Sequence, residues 1–355
     1  MGKFRLASLF AIALLMTACR HHSSSGAADR GQSQTAPAGR SGRESADGKP
    51  VQAQMRHVDY HVIPSAVLNI ERLRGELHSK KPGKPPVFEE KDSFVLKIHT
   101  AEIAMTAQSL SGLLNDHVFA YKGSPLEKLA VEIGPGGITQ KGVLRKALKI
   151  PFSIVGTVAL TPQGEIRVHP TSIKAAGIGV RGLMETFGIE LDQLMKLKED
   201  RGVRIAGDDF LLSPSRMLPP PQIQGRVTEL RLEPGRMVLI FSSPGEPPKA
   251  PLSPPDKTSP NYMYYEGGVL AFGKLTMTGT ELQIVDADPR DPFDFYLDHY
   301  NEQLVAAYDE NLPDKGLIVH MPDYSSLRAS PGSAPAAHRR AARPDEASTD
   351  HLIPR

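Results

Sequence analysis

The chain has 355 residues, with 42 Lys+Arg against 40 Asp+Glu, one cysteine, no tryptophan and 6% aromatic residues. So even a charge balance gives no global field to draw nucleic acid, and a single cysteine excludes an internal disulfide framework, a thiolate zinc cluster and a Cys-x-x-Cys redox pair. Few aromatic side chains leave little to stack on sugars, so carbohydrate binding is not expected.

At the N-terminus, Lys3 and Arg5 precede an uncharged apolar run from Leu6 to Met16, and the small pair Thr17 and Ala18 stands before Cys19. This is the layout of a secretory signal. A helix needs about 20 apolar residues to span a bilayer, and this run is shorter, so it is expected to be removed after export. Leu15-Met16-Thr17-Ala18-Cys19 resembles the lipobox of bacterial lipoproteins. The resemblance implies cleavage before Cys19 and acyl lipid (palmitate or a similar chain) on that cysteine, which would anchor the protein to a membrane lipid layer. The expected address is the bacterial cell envelope, facing the periplasm.

Residues 19–57 are Ser, Gly, Ala, Gln and charge, a composition expected to form a disordered tether reaching roughly 30 to 40 Å. His21-His22 in such a strand carries no metal spacing. The folded domain is expected over 58–324, with a proline-rich loop at 242–260 and a disordered tail at 325–355.

Within the domain, strand-like runs fall at Asp59–Ile63, Phe94–Ile98, Leu129–Ile133, Phe152–Leu160, Glu165–His169, Val203–Ile205, Val227–Leu232, Met237–Phe241, Val269–Met277, Glu281–Val285 and Gly316–His320. Turn signals at Thr161-Pro162-Gln163-Gly164, Glu233-Pro234-Gly235 and Thr278-Gly279-Thr280 predict hairpins. Helical spacing predicts three helices. The first carries Ile103, Ala107, Leu110, Leu113, Leu114 and Val118, with Thr100 as cap; the second carries Val180, Leu183, Met184, Phe187, Leu191, Leu194 and Met195. The third is capped by Asp291 before Pro292 and carries Phe293, Leu297, Tyr300, Leu304 and Ala307. The expected fold is α+β: a long, strongly curved, mostly antiparallel sheet wrapped around one or two amphipathic helices.

Catalytic signatures are weak throughout. Gly177-Ile178-Gly179-Val180-Arg181-Gly182 matches a dinucleotide-binding loop by its letters, but a hairpin precedes it instead of a βαβ unit, so it reads as a glycine-rich entry to a helix. Gly134-Pro135-Gly136-Gly137 lacks the Lys-Ser/Thr of a phosphate loop, and Asp208-Asp209 reads as a turn. Asp286, Asp288, Asp291 and Asp294 form the densest carboxylate cluster, without the glycine and distal glutamate of a calcium loop. No G-x-S-x-G or His-Glu-x-x-His occurs, and His99, His117, His169, His299 and His320 are scattered without metal spacing. No catalytic activity, cofactor or metal is expected.

One pattern points to a fold family. A strand is followed by a helix ending in Leu113-Leu114-Asn115, a hairpin and a strand bearing Gly164-Glu165-Ile166-Arg167-Val168. Then Ile178-Gly179-Val180 leads into Leu183-Met184 and the Gly188-Ile189-Glu190-Leu191 helix. Over about residues 94–241 this order resembles bacterial members of the tubular lipid-binding superfamily, the class of the bactericidal/permeability-increasing proteins and synaptotagmin-like mitochondrial lipid-binding domains. The resemblance implies an apolar groove that takes the acyl chain of a lipid, lined by Leu110, Leu113, Leu114, Leu183, Met184, Phe187 and Leu191. Residues 262–324 have no place in that pattern. The competing expectation is an assembly protein that docks on an envelope protein partner with no internal ligand.

Overall fold

The computed structural model describes residues 49–145, 149–175, 178–179, 197–313 and 316–329. Among the described residues strands outweigh helices, 57% against 13%, and the main sheet curls into an antiparallel half-barrel. In chain order the first elements are β1 (Val51–Ile63), β2 (Ala66–Ser79), β3 (Phe94–Thr106) and α1 (Ala107–Leu113), which runs into a π-helical turn at Leu114–Val118. Next come β4 (Leu126–Gly134), β5 (Gly137–Arg145), β6 (Lys149–Leu160), β7 (Ile166–Ala175), β8 (Ile178–Gly179), β9 (Val203–Ala206), β10 (Asp209–Leu212) and the single turn α2 (Pro214–Met217). They are followed by β11 (Gln222–Gln224), β12 (Arg226–Glu233), β13 (Arg236–Ser242), β14 (Tyr262–Phe272), β15 (Leu275–Asp286) and β16 (Phe293–Tyr296). The last are a 3-10 turn at Leu297–His299, α3 (Tyr300–Ala306), β17 (Tyr308–Asn311), β18 (Leu317–Met321) and α4 (Tyr324–Ala329).

The larger sheet has 11 strands in the order β12-β13-β3-β2-β1-β14-β15-β18-β17, with β11 parallel on β3 and β16 parallel on β1. The smaller has seven, β4-β5-β6-β7-β10-β9 with β8 on β7. So residues 262–324 complete the larger sheet, since β14 joins β1 directly and carries β15 and β18 outward.

In β1 the buried apolar residues are Val51, Ala53 and Met55, then Val58, Tyr60 and Val62. The phase changes at His57, whose φ of 48° is left-handed, and there β1 exchanges β14 for β16 as its neighbour. β2 changes phase at the same level, from Ala66, Leu68 and Ile70 to Leu73 and Leu77. A one-residue slip exchanges the two faces of a strand, so the coordinated kink keeps the apolar side chains on one face. His57 and Glu71 pair across it at 3.0 Å.

The opposite face is strapped by the proline-rich segment between β13 and β14. Buried Arg74 donates to the carbonyl oxygens of Ala53, Gly75 and Ala250, and Gln54 accepts from the backbone N–H of Leu252 at 2.8 Å. Gln283 accepts from the N–H of Asp256 and donates to its carbonyl oxygen.

α1 covers the edge strand β4. Asn115 accepts from the N–H of Leu129 at 2.8 Å and donates to its carbonyl oxygen at 2.7 Å, and the Ser111 hydroxyl accepts from the N–H of Val131 at 2.9 Å. Side chains thus supply the ladder that a neighbouring strand would, which keeps the edge from pairing elsewhere.

Several expectations are corrected. Residues 51–57, expected in the tether, belong to β1, and Tyr324–Ala329 at the start of the expected tail forms α4. The first helix begins at Ala107 behind Thr106, whose hydroxyl accepts from the N–H of Ser109; Thr100 and Ile103 lie in β3. Asp291 caps no helix, because Phe293 and Phe295 alternate in β16 and the helical turn starts only at Leu297. Thr278-Gly279-Thr280 lies inside β15, where Gly279 has φ 65° across from Gly268 at φ 56° and the register is the same on both sides; the hairpin turn is at Gly273-Lys274. The second helix, with Leu183, Met184, Phe187 and Leu191, lies outside the described residues, as do Cys19 and most of the Gly177–Gly182 motif.

Candidate functional site

The apolar faces of the two sheets line three successive pockets. The first is bounded by β1–β3 residues such as Tyr60, Leu68, Leu73 and Leu77, by Phe88 and Tyr265, by Leu218 and Pro221 between α2 and β11, and by Ile223 of β11. A second lies where the sheets approach each other, between Ile103, Met105, Met237 and Phe241 on one side and Ile166 and Leu212 on the other, under Leu110 and Leu113 of α1. The third continues into the smaller sheet along Leu114, Phe119, Val131, Ile138, Phe152, Val168 and Phe210. Leu68, Ile103, Leu218 and Ile223 line both the first and the second; Leu110 and Leu212 line both the second and the third. The result is an apolar path with α1 at its waist.

The path is narrow, with a cavity volume of about 50 Å³ in each pocket. A larger guest enters only if side chains move, and Met55, Met105, Met217 and Met237 on the walls are the residues best suited to do so. Three of the groove residues expected from sequence, Leu110, Leu113 and Leu114, are buried on this path. The sequence did not point to Leu68, Leu218 or Ile223, which supply much of the first pocket.

At one end Phe88 closes the half-barrel. Its ring meets Tyr265 and Phe272 edge-on, with Tyr300 5.0 Å away, and the chain is pinned there by the Phe88 N–H donating to the Ala271 carbonyl oxygen.

The acidic cluster is built differently from a metal site. Buried Asp286 accepts from Asn261 at 3.0 Å and from the N–H of Asp288 at 2.8 Å; Asp288 pairs with Arg290; Asp294 pairs with His61 at 2.7 Å. Burial works to raise the Asp294 carboxyl, but hydrogen bonds from His61 and Ser325 outweigh it and it titrates below the ordinary range. Asp323 faces the same cluster and accepts from the N–H of Asp294 at 2.8 Å. Burial, with the neighbouring charges of Asp286, Asp294 and Asp291, pushes it up to about 7. Among the described residues no group of three or more His, Cys, Asp or Glu side chains is placed to hold a metal ion. The cluster ties β1, β16 and α4 together. His99, buried in β3, stands 3.0 Å from Glu76, and its Nδ1 has no hydrogen-bond partner among the described residues.

No protein-family model, curated protein or solved structure matches this chain.

Proposed function

We propose that this chain is an envelope lipoprotein, anchored through Cys19 and facing the periplasm, whose folded part binds or carries an acyl lipid between its two sheets without a catalytic step. The observation that carries the reading is the continuity of the apolar path, since three pockets linked by shared residues run from one sheet to the other past α1. Each methylene moved from water into such an environment gains about 0.8 kcal/mol, so an extended apolar path can hold an acyl chain with few polar contacts. In this reading the curled sheet wraps the apolar face of α1.

Native mass spectrometry and lipid extraction of the purified chain are expected to recover about one acyl lipid per protein beyond any lipid on Cys19. Protein that carries no extractable lipid and takes up no fluorescent fatty acid would instead favour the docking protein. Anchoring has its own test: a labelled fatty acid is expected to be incorporated into the wild type and not into C19S. Equal label in both contradicts acylation at Cys19.

A further inference from the structure

A polar cavity adjoins the apolar path at Leu77, which lines both. It has a volume of about 320 Å³, against about 50 Å³ in the neighbouring apolar pocket, and Lys49, His78, Lys81 and Lys84 stand on its wall. We propose that this bowl binds an anionic group of the phosphate class, the head of the lipid whose chain enters the apolar path past Leu77. The proposal rests on the lipid-carrying reading above and names the class of lipid.

Local structure sets the lysines in place. Lys81-Pro82-Gly83-Lys84 is a tight turn in which the Lys84 N–H donates to the Lys81 carbonyl oxygen at 3.1 Å and Gly83 has φ 70°. Proline second and a left-handed glycine third are the residues this turn requires, and they bring the two lysines together at its ends. Pro85 and Pro86 stiffen the chain that follows, so little order has to be imposed on binding.

The two lysines of the turn are only weakly engaged. Lys81 lies 3.5 Å from Glu90, but both side chains are 59% exposed, and an exposed pair of this kind holds weakly. Lys84 has no carboxylate partner among the described residues. His78 pairs with Glu76 at 3.0 Å on the other wall. Ammonium groups converging on one concavity suit an oxyanion approached as a point charge.

The test is calorimetric titration of the full chain with three probes: dioctanoyl phosphatidic acid and dioctanoylglycerol, both kept below aggregation, and inorganic phosphate. The expected result is at least ten-fold tighter binding of the phosphatidic acid than of the neutral lipid. K81Q/K84Q, or K84E alone, is expected to abolish that preference while leaving the neutral lipid bound as before. Equal affinity for the two lipids in the wild type overturns the proposal and leaves the lipid-carrying reading intact. Binding of neither lipid overturns that reading; lysine-dependent binding of inorganic phosphate in that case assigns the bowl to free phosphate and also overturns the headgroup assignment.

Discussion

Gly112→Ala is expected to destabilise the fold by about 3 kcal/mol, the upper end of the usual range for overpacking. In an open helix the same change would stabilise by up to about 1 kcal/mol, so even the sign is diagnostic. A Cβ at position 112 would lie 2.0 Å from the carbonyl oxygen of Ser65 and 2.8 Å from its carbonyl carbon. Both are backbone atoms of the β1–β2 connection, with no flexible side chain to yield. α1 must therefore move off the sheet, and it carries Leu110, Leu113 and the Asn115 hydrogen bonds to β4 with it. Gly136, in a turn with nothing within 4 Å of its Cβ, is the control. Urea unfolding of both variants gives the comparison; a G112A protein as stable as wild type would mean that α1 does not sit against Ser65.

The second large effect is a pH dependence. Asp323 is 8% exposed and keeps its proton up to about pH 7, whereas in the unfolded chain it loses it near 3.8. Its folded pKa is raised, so its contribution to stability is complete below about pH 4 and is lost as the pH rises toward and through about 7. A shift of that size corresponds to roughly 4 kcal/mol at full value; with partial solvent screening, about 2 to 4 kcal/mol is expected. Asp59 and Asp286 are raised in the same direction, chiefly by burial. Glu76 and Asp256 work oppositely. Burial would raise both, yet hydrogen bonds from Gln52, His99 and His78 to Glu76, and from Ser259 and Thr258 to Asp256, bring each down to about 2. Their contribution is present above the unfolded carboxylate pKa and lost in stronger acid. Asp323→Asn keeps an acceptor for the Asp294 N–H and removes the charge. The variant is expected to melt higher than wild type at pH 8 and equally at pH 4. A pH 8 stability no greater than that of wild type would contradict the burial of a carboxylate there.

How far the sequence revealed the fold depended on turn residues and on how long each strand's apolar run stayed recognisable. β6, β7, β12 and β13 flank the turn residues Thr161–Gly164 and Glu233–Gly235 and were legible from them, although β6 and β12 carry register shifts and β13 buries Met237, Val238 and Leu239 in succession. β2 was not, because the kink opposite His57 spaces Ile70, Leu73 and Leu77 by three and four residues, which breaks the period of two. The first part of β1 does alternate, Val51, Ala53, Met55, but between glutamines and with a small alanine it resembles the polar segment before it. At Phe293, Leu297, Tyr300 and Leu304 a strand, a 3-10 turn and a helix in succession imitate one helical stripe. Of the candidate groove, α1 was legible from its own spacing. Leu218 and Ile223 were not, since Leu218 stands on an irregular, proline-rich segment and Ile223 in the three-residue β11 that follows it, which reaches the path by pairing with β3.

If an acyl chain lies between the two sheets, a fatty acid carrying a photoactivatable diazirine near its methyl end will mark the side chains around it. After irradiation with the full chain and peptide mapping, adducts are expected on the residues that join the pockets, Leu68, Ile103, Leu110, Leu212, Leu218 and Ile223. Adducts confined to outward-facing side chains such as Val305 and Leu275, which are 88% and 51% exposed, or no adducts at all, would contradict that placement.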